Sequence, residues 1–122
     1  MIKLLQSADS GEEEPNEPFS VLVVDDEFGL LTSLKRLLET HGYVVAVAVS
    51  GTAALTQLAE NRYDLLVLDL GMPGIGGAAV LDFTIERRLD MAVIVISGTT
   101  SVVEATAAMR RGAIDYLRKP FG

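Results

Sequence analysis

Polar residues that can bind a metal or a phosphate follow four short apolar segments of the chain. They are Asp25 and Asp26 after Val21–Val24, Asp69 after Leu65–Leu68, Ser97 after Val93–Ile96, and Lys119 two positions after Ile114–Leu117. In an open parallel sheet the carboxyl ends of all strands lie along one edge, and ligands bind there. If the four segments are strands of such a sheet, these residues meet in one acidic pocket beside a lysine.

The three acids of this pocket indicate metal binding and phosphoryl chemistry. Asp25, Asp26 and Asp69 would repel one another, which raises the pKa of carboxyl groups. A hard divalent cation relieves the repulsion, and Mg²⁺ binds through a few carboxylates together with water and phosphate. Mn²⁺ suits the same oxygen ligands. A carboxylate can also act as a nucleophile and become an aspartyl phosphate. Lys119 then offers a compact cation for a phosphoryl oxygen, and Ser97 offers a hydroxyl.

Each of these residues also has a purely structural interpretation when it is taken alone. Asp26 fits the N-cap of the first helix, and Asp25 fits a solvated turn. Asp69 precedes a Gly-Met-Pro-Gly loop and fits a turn aspartate. Lys119 fits a surface lysine, and Tyr116 fits a packed strand residue. Their joint occurrence at separate strand ends, with compatible chemistry, favours a common site.

Composition excludes several classes of function. The chain has 122 residues and is 49% hydrophobic, which is enough for one domain with a core. It has no cysteine, which excludes disulfides and thiolate metal sites, and a single histidine, His41, which excludes a His-based metal site or a His-activated nucleophile. A net charge of -7 does not fit a nucleic-acid-binding surface. No apolar run approaches the ~20 residues that span a bilayer. We therefore expect a cytoplasmic domain that binds neither nucleic acid nor membrane.

Apolar periodicity predicts strands that alternate with helices. The predicted strands are Ser20–Val24, Tyr43–Val49, Tyr63–Leu68, Met91–Ile96 and Ile114–Leu117. The predicted helices are Glu27–His41, Gly51–Asn61, Ala78–Arg88 and Ser101–Arg111. Ser50 fits the N-cap of the second helix, and Gly42 and Gly112 lie just after the ends of the first and fourth helices. Gly71–Gly77 is predicted as a loop. The alternation and the continuous apolar strands predict an α/β domain with a parallel sheet.

The two ends of the chain differ from this pattern. Residues 1–18 are acidic, and residues 6–18 are rich in Glu, Pro, Ser and Gly, so we expect a disordered leader before a domain over 19–122. Only Phe121 and Gly122 follow Lys119-Pro120. We therefore expect the domain to be truncated before a fifth helix. The apolar surface left exposed would favour a homodimer or cover by Met1–Leu5.

The chain resembles the CheY-like receiver domain of two-component response regulators over about residues 20–121. The resemblance is carried by Val-Val-Asp-Asp-Glu at 23–27, Leu-Asp-Leu-Gly-Met-Pro-Gly at 68–74, Ile-Ser-Gly at 96–98 and Gly-Ala-Ile-Asp-Tyr-Leu-Arg-Lys-Pro-Phe at 112–121. It implies a flavodoxin-like, doubly wound, five-stranded parallel sheet of order 2-1-3-4-5. It also implies a switch rather than an enzyme. A histidine kinase or phosphotransfer protein would donate the phosphoryl group, and an output domain or effector protein would respond.

The resemblance gives each matching position a role. Asp69 accepts the phosphoryl group; Asp25, Asp26, Asp69 and the backbone carbonyl of Gly71 hold Mg²⁺; Lys119 contacts the phosphoryl group; Ser97 and Tyr116 are the switch residues. Gly76 stands where relatives often have an aspartate, which should loosen the loop because glycine costs backbone entropy.

Two alternatives remain open at the level of sequence. A hydrolase that forms an aspartyl phosphate usually has a second acid two residues beyond the nucleophile, where this chain has Gly71. An interaction module that has lost phosphorylation would lack an acid or the lysine, and none is missing here. A P-loop nucleotide binder is excluded because the chain has no Gly-x-x-x-x-Gly-Lys motif.

Overall fold

The computed structural model describes residues 18–74, 76–87, 89–98 and 102–119. Strands and helices alternate through these ranges, as the sequence predicts. The elements are β1 (Ser20–Val24), α1 (Phe28–Thr40), β2 (Val44–Ala48), α2 (Gly51–Glu60), β3 (Leu65–Asp69), α3 (Gly77–Glu86), β4 (Ala92–Ser97), α4 (Val102–Arg110) and β5 (Asp115–Arg118). The predicted leader lies outside the described residues except for Pro18, as does the chain beyond Lys119. No helix in the described ranges is long and apolar enough to cross a membrane.

The five strands form one parallel sheet in the order β2-β1-β3-β4-β5. This order confirms the predicted doubly wound, flavodoxin-like topology. The order reverses at β1, which pairs with β2 on one side and with β3 on the other. In such sheets the crevice at the reversal point, at the carboxyl ends of the strands, is the usual ligand site. Here it separates the end of β1 from the end of β3.

Two apolar clusters cover the two faces of the sheet, and the helices are divided unequally between them. On one face, α1 buries Leu31, Leu34 and Leu38 against Val21, Val23 and their neighbours. On the other face, α2, α3 and α4 contribute residues to a cluster with Leu22, Leu66, Leu68, Val93 and Val95. Leu117 of β5 belongs to the face that α1 covers and is only partly buried. Within the described residues, one helix therefore protects that face and leaves its β5 side thinly covered.

Several predicted boundaries are confirmed by local geometry. The Ser50 hydroxyl accepts a hydrogen bond from the Ala53 N–H at 3.1 Å and caps α2. Gly42 and Gly112 have φ angles of +89° and +104°, which glycine adopts without strain. The predicted third strand is wrong at both ends, because β3 begins at Leu65 and includes Asp69. The predicted first strand matches β1 at both ends, and the remaining predicted elements differ from the observed ones by one or two residues at one or both ends.

The start of α3 lies inside the predicted loop, and its first residue packs very closely against β3. A Cβ atom on Gly77 would overlap the carbonyl oxygen of Asp69 and would lie 2.7 Å from the Cα of Leu70. Only a residue without a side chain allows α3 to approach β3 at this point. Gly77 therefore fixes the backbone just beyond the carboxyl end of β3.

Candidate functional site

The three predicted acids meet at the crevice between β1 and β3. Asp25 extends β1, and its N–H donates to the Ala48 carbonyl at 3.1 Å. Asp69 is the last residue of β3. Asp25, Asp26 and Asp69 each offer a carboxylate oxygen, and these oxygens lie within 4.8 Å of one another. Asp25 and Asp69 are buried while Asp26 is exposed, so the cluster is open to solvent on one side.

Backbone turns hold one oxygen of each buried acid. The Glu27 N–H donates to Asp25 Oδ1 at 2.9 Å, and the Gly71 N–H donates to Asp69 Oδ1 at 2.9 Å. A turn role for Asp25 and Asp69 is therefore compatible with the site interpretation. The expectation that Asp25 is solvated is wrong, because the residue is fully buried. The N-cap interpretation of Asp26 is wrong, because Glu27 occupies the N-cap position of α1. Gly71 lies against Asp69 as expected, and the role of its carbonyl in metal binding stays a prediction.

Lys119 brings a cation from the far edge of the sheet into the acid cluster. Its Nζ lies 2.8 Å from Asp25 Oδ2 and 2.8 Å from Glu27 Oε1. Its distance to Asp69 Oδ2 is longer, at 3.5 Å. The Lys119 N–H donates to the Ser97 carbonyl at 2.8 Å, which anchors the residue just beyond β5. The Lys119 side chain is only 13% exposed, so the surface-lysine interpretation is wrong.

These contacts determine the charge of the lysine. Burial opposes the ammonium form, but hydrogen bonds to Asp25 and Glu27, together with the charges of Asp69 and Asp25, favour it more strongly. The result is a pKa for Lys119 well above its usual range. The site thus retains a positive charge at any physiological pH.

Asp69 experiences opposing influences. Burial raises the pKa of its carboxyl group above 3.8 most strongly, and the charge of Asp25 raises it further. The hydrogen bond from the Gly71 N–H and the charge of Lys119 lower the pKa, but they do not cancel the effect of burial. A further cation near Asp69 would stabilise its charged form.

The donor atoms of the cluster fit a hard divalent cation. Asp25 Oδ2 is buried, and the contact it makes in the described part of the chain is with the Lys119 ammonium at 2.8 Å. A carboxylate oxygen with one such partner retains a second lone pair for a metal. All the side-chain donors of the cluster are oxygens, and Mg²⁺ and Mn²⁺ prefer oxygen ligands. The residues present therefore suit the cation that the sequence predicts.

The two predicted switch residues lie on β4 and β5. Ser97 is the last residue of β4, is fully buried, and pairs with Arg118. Tyr116 pairs with Val95, two positions earlier, and is partly buried. Because alternate strand residues point to the same face, Ser97 and Tyr116 lie on one face of the sheet. This arrangement is compatible with a coupled movement of the two side chains, which stays a prediction.

Glu27 is a site residue that sequence reasoning did not identify. It is the third acid of the Asp-Asp-Glu run, and its side chain is 62% exposed. The run was a visible signal, but the partner of Glu27 lies 92 residues away in the chain. Only the folded structure places the two together.

Comparison with known proteins agrees with this geometry. Residues 21–122 match the response regulator receiver domain family. Over 101 residues the chain is 45% identical to the transcriptional regulatory protein PrrA of Mycobacterium tuberculosis, covering 83% of this chain and 43% of PrrA. The chain thus spans less than half the length of that relative.

Solved structures share the fold. The CheY-like receiver domain protein of Methanospirillum hungatei superposes with a TM-score of 0.83 at 27% identity, covering 87% of this chain and 85% of that protein. A response regulator of Burkholderia pseudomallei, solved with a phosphorylated aspartic acid, a calcium ion and citrate, gives a TM-score of 0.80 at 28% identity and covers 85% of this chain and 61% of that protein. Because the family model covers residues 21–122 and the solved structures share the doubly wound sheet, the chain belongs to the response regulator receiver domain family of two-component signalling.

Proposed function

We propose that Asp69 accepts a phosphoryl group from the phosphohistidine of a histidine kinase or a phosphotransfer protein. The observation that supports this most is the meeting of Asp25, Asp26 and Asp69 with Lys119 at the crevice of the sheet. An isolated aspartate carboxylate would be a poor nucleophile for a phosphoryl group, because both groups carry negative charge. Here, Lys119 and a bound cation would offset the charge of the incoming group.

In this mechanism the carboxylate of Asp69 attacks phosphorus and the bond to the histidine nitrogen breaks. Asp69 Oδ1 is held by the Gly71 N–H, so we assign the attack to Oδ2, which faces Lys119. The electron pair of the broken bond goes to the histidine, which takes up a proton. When bound, Mg²⁺ would supply charge neutralisation at the phosphoryl oxygens, held by Asp25, Asp26, Asp69 and the Gly71 carbonyl.

The Burkholderia pseudomallei regulator supports this assignment. That protein carries a phosphorylated aspartic acid and a calcium ion, at 28% identity to this chain. We propose Mg²⁺ as the resident cation here, with Mn²⁺ as a substitute. The preference for Mg²⁺ rests on the oxygen-only donor set and on its usual partnership with phosphate.

The downstream partners belong to the same proposal. PrrA is a transcriptional regulatory protein, and this chain spans 43% of its length. We propose that phosphorylation changes the surface near β5 and α4 and so controls an output domain or effector protein. We also propose that the domain acts in the cytoplasm, that it forms homodimers through its thinly covered face, and that this segment does not itself bind nucleic acid or membrane.

The decisive experiment is covalent labelling. Acetyl phosphate with Mg²⁺ should add one phosphoryl group to the chain, detected by intact-mass spectrometry, and the adduct should be labile to base. Asp69→Asn should remove the label. Asp90→Asn, an exposed aspartate before β4, should leave it intact. A label that persists in Asp69→Asn, or that maps to Ser or Thr, would overturn the proposal.

A further inference from the structure

The lysine of the site is held away from the proposed phosphoryl acceptor. Its Nζ lies 2.8 Å from Asp25 and from Glu27, but 3.5 Å from Asp69. Asp25 is part of the acid cluster that suits a metal. Glu27 has no role in that cluster, and its contact with Lys119 needs a separate explanation.

The backbone of Glu27 is fixed on both sides. Its N–H donates to Asp25 Oδ1 at 2.9 Å, and its carbonyl accepts from the Leu31 N–H at 3.0 Å in the first turn of α1. The side chain makes no capping hydrogen bond and instead reaches across to Lys119 at the other end of the chain. Glu27 is therefore anchored at the rim of the crevice and directs its carboxylate towards the lysine.

A cation bound to Asp25 would repel the ammonium that now shares that carboxylate. Lys119 would then have two carboxylate partners left among those it now contacts, Glu27 at the rim and Asp69 inside. To contact a phosphoryl group on Asp69, the Lys119 ammonium must lie inside the crevice, next to Asp69. Every contact that Lys119 keeps with Glu27 competes with that position.

We propose that Glu27 is a positioning residue that tethers Lys119 at the rim and so weakens the binding of a phosphoryl group at Asp69. This inference rests on the proposed function of the site. The ordinary alternative is a surface ion pair without functional effect, since many such pairs contribute little. Because Glu27 is 62% exposed, the effect is modest, about 1.5- to 5-fold in affinity by the usual strength of exposed pairs.

The test measures beryllofluoride affinity at saturating Mg²⁺ by isothermal titration calorimetry. Glu27→Gln keeps the size of the side chain and removes its charge. Glu27→Asp keeps the charge but shortens the reach by one methylene, so the contact at 2.8 Å is lost. Glu60→Gln, exposed at the end of α2, makes the same charge change at the opposite edge of the sheet and serves as the control.

A tether predicts that Glu27→Gln and Glu27→Asp both bind beryllofluoride more tightly than the parent, by about 1.5- to 5-fold, whereas Glu60→Gln binds like the parent. If only Glu27→Gln binds more tightly, the charge of Glu27 acts through space on the phosphoryl group and the tether is wrong. Equal affinity of all four proteins also overturns it. Failure of the parent to bind beryllofluoride would instead overturn the proposed function.

Discussion

Replacing Gly77 with alanine should destabilise the domain even though alanine favours helices. The added Cβ would lie 2.7 Å from the Leu70 Cα, where an ordinary contact needs at least 3.4 Å, so the backbone must move by about 0.7 Å. The nearer clash, with the Asp69 carbonyl oxygen, also involves backbone atoms, which a rotamer change cannot relieve. Overpacking of this kind costs roughly 1–3 kcal/mol, against a gain of about 0.5–1 kcal/mol from replacing glycine in a helix.

The difference spans roughly 0–2.5 kcal/mol and is about 1 kcal/mol at its midpoint, which corresponds to a fall in Tm of about 4–8 °C for a domain of this size. Thermal unfolding followed by circular dichroism measures it. Gly29→Ala is the matched control, because Gly29 lies in α1 and a methyl group there would meet no atom within 4 Å beyond the backbone of its own helical turn. That variant should gain about 0.5–1 kcal/mol. If Gly77→Ala melts at or above the parent temperature, the close approach of α3 to β3 does not limit the side chain at this position.

Four further predictions concern the site itself. Because burial raises the pKa of Asp69 above 3.8, its ionisation costs stability as pH rises through the folded-state pKa. Asp69→Asn should therefore melt above the parent at pH 7 without divalent ions, with the difference vanishing below pH 3.8, where the carboxyl is protonated in both the folded and the unfolded chain; a constant difference at all pH values would contradict this. The raised pKa of Lys119 means that its ion pairs add stability below pH 10.5 and lose it as pH rises beyond that value. Lys119→Gln should accordingly lower the apo Tm at pH 7 but raise Mg²⁺ affinity, because a cation competing for Asp25 is removed; weaker Mg²⁺ binding would show that the lysine does not compete. Asp26→Ala should bind Mg²⁺ more weakly in calorimetry, and unchanged binding would remove Asp26 from the site. Ser97→Ala should still be phosphorylated but should show smaller NMR shifts over residues 98–118 with beryllofluoride and Mg²⁺, since a hydrogen bond to a charged group is worth roughly 1.5–3 kcal/mol; a full set of parent shifts would exclude Ser97 as the coupling residue.

The sequence predicts the alternation of strands and helices because buried parallel strands are continuous apolar runs. The order of the strands comes from the resemblance, since periodicity carries no information on which strands pair. Tyr63 shows the limit of the pattern. The apolar run predicts that it begins β3, but its hydroxyl donates to Gln57 Oε1 at 2.7 Å and the strand starts at Leu65. An aromatic residue before a strand and one within it look alike in a single sequence.

The site is predictable as a set of residue types and much less so as a set of contacts. Asp25, Asp26, Asp69 and Lys119 can be identified because their positions after apolar runs place them on one sheet edge. The Glu27 contact depends on how β5 aligns beside β4, which the amino-acid pattern does not encode. Local composition assigns Gly77 to a loop, whereas its role comes from the distance between two backbones.

The lysine of the site directly follows β5, an edge strand of the sheet. Among the described strands β5 pairs with β4 alone, and none of its residues is fully buried. Edge elements of this kind open more often than central ones, by local unfolding that leaves the rest of the domain intact. Each opening would withdraw the ammonium from the acids and leave the crevice briefly unable to hold a phosphoryl group. The lifetime of the proposed phosphorylated state then depends on how often β5 opens, which amide hydrogen exchange measures. Substitutions along the β4–β5 ladder, such as at Asp115, should change that lifetime without altering any residue of the proposed site.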